Sequence, residues 1–305
     1  MNVEAITIVF CGKKSVRKAE RRGGFTLIEV LVVISIISIL MGILLPVLGR
    51  ARRQARNIIG MSNQREIINA LNSFAFDNDE KYPESVATIG VLDIHWHWHE
   101  PIKMTGNESL SPQRHRAMSE YLKGYIKEAK IMYCPNAPRK YKYLQEAWEA
   151  GDEWNNPDTA PMRDPVSGTY CFWWNYIGWL GEDEPLFRGP TGPVTGRGAS
   201  KLLVTCYFGY GHWRSPESFG SCQRFKGARV TPETYVSSAY WSQRRDANGG
   251  KPDVKLTAGY TDGHVETFNS LETVELRVSK TADGSVPYPD GIGSGIFYVP
   301  KNGSP

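Results

Sequence analysis

The chain has 305 residues and a mass of 34.2 kDa, with 41% hydrophobic and 22% charged residues, 30 Gly and 19 Pro. This composition excludes collagen-like, coiled-coil-rod and wholly disordered classes and leaves a loop-rich globular protein long enough for one large or two small domains. The formal charge of +4 belongs to residues 1–24, where Lys13, Lys14, Arg17, Lys18, Arg21 and Arg22 outnumber Glu4 and Glu20; the remainder is neutral, so no nucleic-acid partner is expected.

After that basic segment, Phe25 to Leu48 is a predominantly apolar run with a single charge, Glu29. As a helix it spans ~36 Å at 1.5 Å per residue, enough to cross a bilayer. A secretory signal peptide fits poorly, because its apolar region is roughly 7–15 residues long and ends in a small-residue cleavage site; here Pro46, Val47 and Leu48 lead into Gly49 and Arg50. A soluble core helix so uniformly apolar fits poorly beside a polar remainder. Basic residues on both flanks give only a slight preference for a cytoplasmic N-terminus. A carboxylate at the bilayer centre costs about 2.5–3.5 kcal/mol and less near the interface, so Glu29 is expected to have a partner or a role.

Beyond the apolar run, Ala51, Ala55, Ile58, Met61, Ile68, Leu71 and Ala75 recur at helical spacing, with one miss at Arg65 and with Ile67 and Phe74 alongside. The helix therefore continues onto a globular surface and stops around Asn78 to Pro83. In the region that follows, helical pieces are predicted around Pro112–Ala129 and Tyr141–Ala150. Strands are predicted at Lys201–Gly209, Thr234–Trp241, Val254–Tyr260 and Val265–Phe268, with a tight hairpin at Asp262-Gly263. Gly181–Gly198 and Asp283–Pro305 read as connecting loops. The fold class is α+β: a long N-terminal transmembrane helix packed on an antiparallel sheet.

The string Arg21-Arg22-Gly23-Gly24-Phe25-Thr26-Leu27-Ile28-Glu29 resembles the cleavage and methylation signal of type IV pilins and type II secretion pseudopilins. The resemblance implies scission between Gly24 and Phe25, methylation of the Phe25 amine and an assembly role for Glu29, whose nearest cation would be that amine. Pro46 resembles the helix-kinking proline common in such proteins. The implied organisation is a leader over 1–24, a transmembrane and assembly helix over 25–80 and an exported globular domain over 81–305. The implied partners are a prepilin peptidase, other pilin or pseudopilin subunits, an inner-membrane assembly platform and membrane lipid. The implied location is the inner membrane, crossed once, with the globular domain periplasmic or extracellular. Thr261-Asp262-Gly263-His264-Val265-Glu266 resembles the close of the H-x9-DG region of large pilin-like proteins, although Pro252 stands where that pattern has His.

Cys134, Cys171, Cys206 and Cys222 follow the membrane segment, are even in number and include no C-x2-C pair, so two disulfides are expected, with three possible connectivities. Cys206–Cys222 with Cys134–Cys171 is the preferred pairing, and four buried thiols are the alternative. Cys11 stays with the leader.

G-x-S-x-G, Walker A and strand-bound G-x-G-x-x-G motifs are absent, so neither catalysis nor a cofactor is expected. Asp93-Ile94-His95-Trp96-His97-Trp98-His99-Glu100 aligns three imidazoles on one face of a strand. Same-face neighbours lie roughly 6.6 Å apart, too far to converge on one metal without a bend, and no metal site is expected. Asp283-Gly284 and Asp290-Gly291 are a weak calcium-loop likeness to major pseudopilins without EF-hand spacing. The aromatic stretch from Tyr170 to Tyr176, with Trp179, reads first as core packing and second as a sugar-stacking surface. The expected function is a structural subunit of a type II secretion pseudopilus; the alternative is a membrane-anchored adhesin or glycan-binding minor pilin, which needs Trp173, Trp174 and Trp179 at the surface.

Overall fold

The computed structural model describes residues 26–87, 101–106, 116–135, 143–156, 158–159, 166, 168–179, 186–207, 209–210, 255–269, 271–277 and 296–303. The chain divides into two compact units, residues 1–51 and 52–305, so the division falls inside the first helix. That helix, α1 (Leu27–Asp77), runs unbroken for 51 residues. Long apolar side chains and alanines favour it, and the serines of its first half do not oppose it. The Ser35 and Ser38 hydroxyls donate to the carbonyls of Leu31 and Ile34, each at 2.7 Å, which satisfies them inside the helix. Pro46 lies within α1 and removes one backbone donor without ending the helix.

The first unit contributes the apolar part of α1, with every described residue exposed. In the second unit the last turns of α1 bury Gly60, Gln64, Ile67, Ile68, Ala70, Leu71 and Ala75. This is a narrower and later face than the periodicity predicts: Ala51, Ala55 and Ile58 are exposed, and Gly60 and Gln64 are core. The helix ends at Asp77, as expected, because Asp79 and Glu80 take positive φ of 53° and 57°. Asn78 Nδ2 donates to the Phe74 carbonyl at 2.8 Å, and the Glu80 amide to the Ala75 carbonyl at 2.9 Å. These bonds satisfy carbonyls that the stopped helix would orphan.

Within the second unit the buried face of α1, Gly60 to Ala75, lies against a four-stranded antiparallel sheet of order β1-β4-β6-β7, made of β1 (Tyr170–Phe172), β4 (Leu202–Cys206), β6 (Lys255–Tyr260) and β7 (Val265–Asn269). β6 and β7 form the predicted hairpin, in register from Lys255↔Asn269 to Gly259↔Val265. Its turn needs Gly263, whose φ is +90°, a conformation that glycine alone adopts at no steric cost. A second antiparallel sheet has the order β3-β2-β8-β9-β5, from β2 (Ile177–Trp179), β3 (Leu186–Arg188), β5 (Gly209–Tyr210), β8 (Thr273–Arg277) and β9 (Ile296–Pro300). Two short helices, α2 (Met118–Leu122) and α3 (Leu144–Ala150), complete the core beside 3-10 turns.

Several elements differ from expectation for physical reasons. The run Lys201–Gly209 is two strands in different sheets: the ladder of β4 with β1 closes on the bond from the Tyr207 amide to the Thr169 carbonyl at 3.1 Å, and Gly209 already pairs with β9 in the second sheet. Predicted loops contain β3 and β9, which tertiary pairing forms: β3 pairs with β2, and β9 with β8 from Thr273↔Pro300 to Arg277↔Ile296. Of the helix predicted over Pro112–Ala129, the described residues 116–129 hold α2 and no longer helix, and α3 begins at Leu144 and stops at Gly151, whose φ is +60°. The strand predicted at Thr234–Trp241 lies outside the described residues.

The approach of α1 to β6 is testable. A Cβ on Gly259 would stand 2.5 Å from Ile68 Cδ1 and 3.1 Å from Val204 Cγ1. We expect Gly259→Ala to destabilise by about 1–3 kcal/mol through overpacking, Ile68→Ala by about 2–5 kcal/mol through a cavity, and the double variant by clearly less than the sum, since one change relieves the other. Denaturant titration of the detergent-solubilised chain, followed by tryptophan fluorescence, measures all three; strict additivity would contradict the contact.

Candidate functional site: the N-terminal helix and its cap

The N-terminus of α1 is a capping box. Thr26 precedes the helix, and its Oγ1 accepts from the Glu29 amide at 3.3 Å; Glu29 Oε2 in turn accepts from the Thr26 amide and hydroxyl, each at 2.8 Å. A Thr followed three residues later by Glu is the pattern that ties two otherwise orphaned helix donors reciprocally. It is written in the sequence as Thr26-Leu27-Ile28-Glu29, where the charge of Glu29 in an apolar run masks its capping role. The carboxylate thus has neutral donors in its own chain. It sits in the first turn, where the helix dipole favours a negative charge. Gly24 and Phe25 lie outside the described residues.

From Leu27 to Leu48 the helix surface is apolar all round apart from Glu29, Ser35 and Ser38. Leu27 is 90% exposed, Ile28 75% and Leu45 66%, and no residue of the span is buried. This stretch is long and apolar enough to cross a membrane. A soluble helix hides such a surface in a core; here, among the described residues, none of it is buried.

The other predicted site residues separate. Cys134 and Cys171, the expected pair, are both buried thiols, and no bridge joins them. Strand alternation supplies the reason. Tyr170 points toward α1, its hydroxyl donating to the Gly60 carbonyl at 3.3 Å, and Cys134 Sγ sits by the same glycine, 3.8 Å from where a Cβ would be. Cys171, next along β1, points to the opposite face. Cys206, which pairs in register with Tyr170, shares the face of α1, with Gln64 Nε2 3.9 Å from its sulfur. Cys222 lies outside the described residues, as do the octet Asp93 to Glu100 and the pairs Asp283-Gly284 and Asp290-Gly291.

The aromatic stretch is core. Trp173 and Trp174 are buried; Trp173 Nε1 donates to Thr205 Oγ1 at 2.9 Å, and its ring packs edge-on against Tyr176 and Phe187. Of Trp179 only the backbone is described, on β2. In the Asp262-Gly263-His264 turn, His264 stacks on Tyr260 with ring centroids 4.4 Å apart, and the His264 amide donates to Asp262 Oδ1 at 3.1 Å. Partial desolvation acts to raise the Asp262 pKa, but the bonds from His264 prevail and hold it below the ordinary carboxylate value. This cluster closes a hairpin, and among the described residues no group of three or more His, Cys, Asp or Glu is placed to hold a metal.

Removing the cap has a local expected outcome. Thr26→Ala leaves the helix in place but frays its first turn, a loss of about 1 kcal/mol. Amide exchange at Glu29 and Val30 in detergent micelles should accelerate several-fold, while exchange at Ile67 and Ile68 stays unchanged.

Residues 21–45 match the family model described as the prokaryotic N-terminal methylation motif. No curated protein and no solved structure matches the chain. The matched segment takes in Arg21 and Arg22, Gly24-Phe25, the capping box and the first five turns of the exposed apolar helix. Joined to the long apolar helix, the match supports a resemblance to type IV pilin-like proteins over this N-terminal segment.

Proposed function

We propose that the chain is a structural subunit and not an enzyme. A prepilin peptidase cuts it between Gly24 and Phe25, and the new Phe25 amine is methylated. α1 then holds it in the inner membrane as a single span, with the globular domain periplasmic or extracellular. An assembly platform builds it with other subunits into a pseudopilus that serves type II protein secretion. The observation that carries this reading is the wholly exposed apolar surface from Leu27 to Leu48, opened by a capped carboxylate at Glu29. Such a surface is stable in lipid or against identical helices and nowhere else. The adhesin alternative loses its proposed platform, because Trp173 and Trp174 are buried.

Intact-mass measurement of membrane-extracted protein tests the processing: we expect loss of residues 1–24 and one added methyl group, and a full-length chain in cells with an active peptidase would refute it. Glu29→Ala should leave that mass shift intact and reduce filament assembly, scored by shearing and immunoblotting, because the helix end loses its reciprocal cap and its only charge in the apolar run. Deleting the gene should stop export of secreted enzymes and leave surface motility unchanged; the reverse result would assign the chain to a motility pilus.

We further infer that Cys206 bridges Cys222. What supports this is that Cys206 is disulfide-bonded while Cys134 and Cys171 are thiols, and that Cys11 falls within the leader. Closing a loop of about 15 residues stabilises by roughly 3 kcal/mol in the chain-entropy account. Non-reducing peptide mapping of exported protein should recover a Cys206–Cys222 peptide with Cys134 and Cys171 alkylatable on unfolding; four alkylatable thiols would remove the bridge.

A further inference from the structure

Immediately after the apolar run, α1 carries Arg50, Arg52, Arg53 and Arg56, all exposed. Between Glu29 and Glu66 the sequence has no carboxylate, and among the described residues no ion pair engages any of these four arginines. At 100° per residue they occupy an arc of about 160° on the helix. The small and apolar residues Ala51, Ala55 and Ile58 take the other side. Four uncompensated guanidinium groups on one helical face need an anion.

We propose that this arginine face binds the phosphate groups of anionic phospholipids at the membrane surface where α1 leaves the hydrocarbon. The proposal rests on the reading of Leu27–Leu48 as a membrane span and adds a lipid class to it. The heights agree. Leu27 to Leu48 covers ~33 Å, close to the hydrocarbon thickness, and the arginines follow about 3 to 12 Å beyond Leu48. The headgroup layer on each side of a bilayer is roughly 5–8 Å deep, and a flexible arginine stem extends that reach. Arginine, more than lysine, suits the task, because its planar fork grips phosphate oxygens bidentately.

A second copy of the chain is the competing occupant, and charge argues against it. Identical helices side by side at one level would set arginine against arginine, and neither helix has a carboxylate between Glu29 and Glu66 to relieve the repulsion. The Ala51 and Ala55 side is the one that admits a close neighbour. That leaves the arginine side facing lipid.

The test uses the full chain reconstituted in phosphatidylcholine vesicles holding a trace of spin-labelled phosphatidylglycerol or, in parallel, spin-labelled phosphatidylcholine. The fraction of motionally restricted label reports which lipid sits at the protein surface. We expect the phosphatidylglycerol label to be enriched at least threefold over the phosphatidylcholine label at low salt, with the preference falling toward unity in about 0.5 M salt. Replacing the four arginines together, R50Q/R52Q/R53Q/R56Q, should abolish the preference while the protein still resists alkaline extraction. Equal restriction of both labels by the unaltered chain, or an undiminished preference in the fourfold variant, would overturn the proposal and leave the span intact. Loss of cross-linking between copies in the fourfold variant, with no change in lipid preference, would assign the face to chain–chain contact instead. Extraction of the unaltered chain by alkali would refute the span itself, a distinct outcome that takes the proposal with it.

Discussion

Ile68 resting on the bare backbone of Gly259 is the contact on which the second unit turns. A side chain at 259 would meet the helix, so glycine there lets α1 approach β6 more closely than ordinary helix-on-sheet packing permits. The close approach then fixes the polar chemistry around it. Gln64, fully buried, reaches the Thr257 carbonyl with Nε2 at 3.4 Å. Asn63 Nδ2 donates to the Tyr133 carbonyl at 3.1 Å, and Asn72 Nδ2 to the Thr261 carbonyl at 3.3 Å. Each amide satisfies a carbonyl where regular pairing stops, and a buried carbonyl left alone costs about 1–3 kcal/mol.

The same logic governs the turn out of α1. Tyr82 donates its hydroxyl to Asn72 Oδ1 at 2.7 Å, and its amide donates to the Thr191 carbonyl at 2.8 Å. Asn175, itself at a positive φ of 50°, donates to the carbonyls of Tyr82 and Pro83 at 3.1 and 2.7 Å. Gly192 must be glycine here, since a Cβ would lie 2.2 Å from the Glu80 carbonyl oxygen. The reversal after the helix is therefore held by side chains from the aromatic segment and from the loop before β4, which is how a polar loop lies against a core without orphaned backbone groups.

The sequence announced the apolar helix, its end near Asn78, the β6–β7 hairpin and the core role of Trp173 and Trp174, because each depends on a local pattern: unbroken hydropathy, Asp-Asn-Asp with a following proline, Asp-Gly between alternating strands, and aromatic bulk. It did not announce β3 and β9, each short and flanked by glycine or proline, because strands of that kind exist only through their partners. Gln64 and Gly60 were illegible as core for a related reason: polarity and lack of a side chain both argue for solvent until the sheet surface that receives them is known. The Cys134–Cys171 pairing failed on alternation, which becomes decisive only once Tyr170–Phe172 is known to be a strand. At the N-terminal site the capping box was legible residue by residue, and the exposed apolar surface that gives it meaning follows from the same run.

Magnitudes settle what that run requires of its surroundings. Seventeen large apolar side chains from Leu27 to Leu48 are exposed. Even at about 1 kcal/mol for each one removed from water, below the ~1.5–3 kcal/mol for full burial, their gain on entering lipid exceeds the ~2.5–3.5 kcal/mol cost of one carboxylate several-fold. Glu29 therefore cannot keep the helix out of the membrane; it can only set what happens at the helix end. With both donors of Thr26 on its Oε2, the carboxylate enters the apolar phase already hydrogen-bonded, so its penalty falls below that of a bare charge. The end of the helix is then its least costly place, since the first-turn dipole and the nearby interface both favour a negative group there and neither would help a carboxylate placed near Gly42.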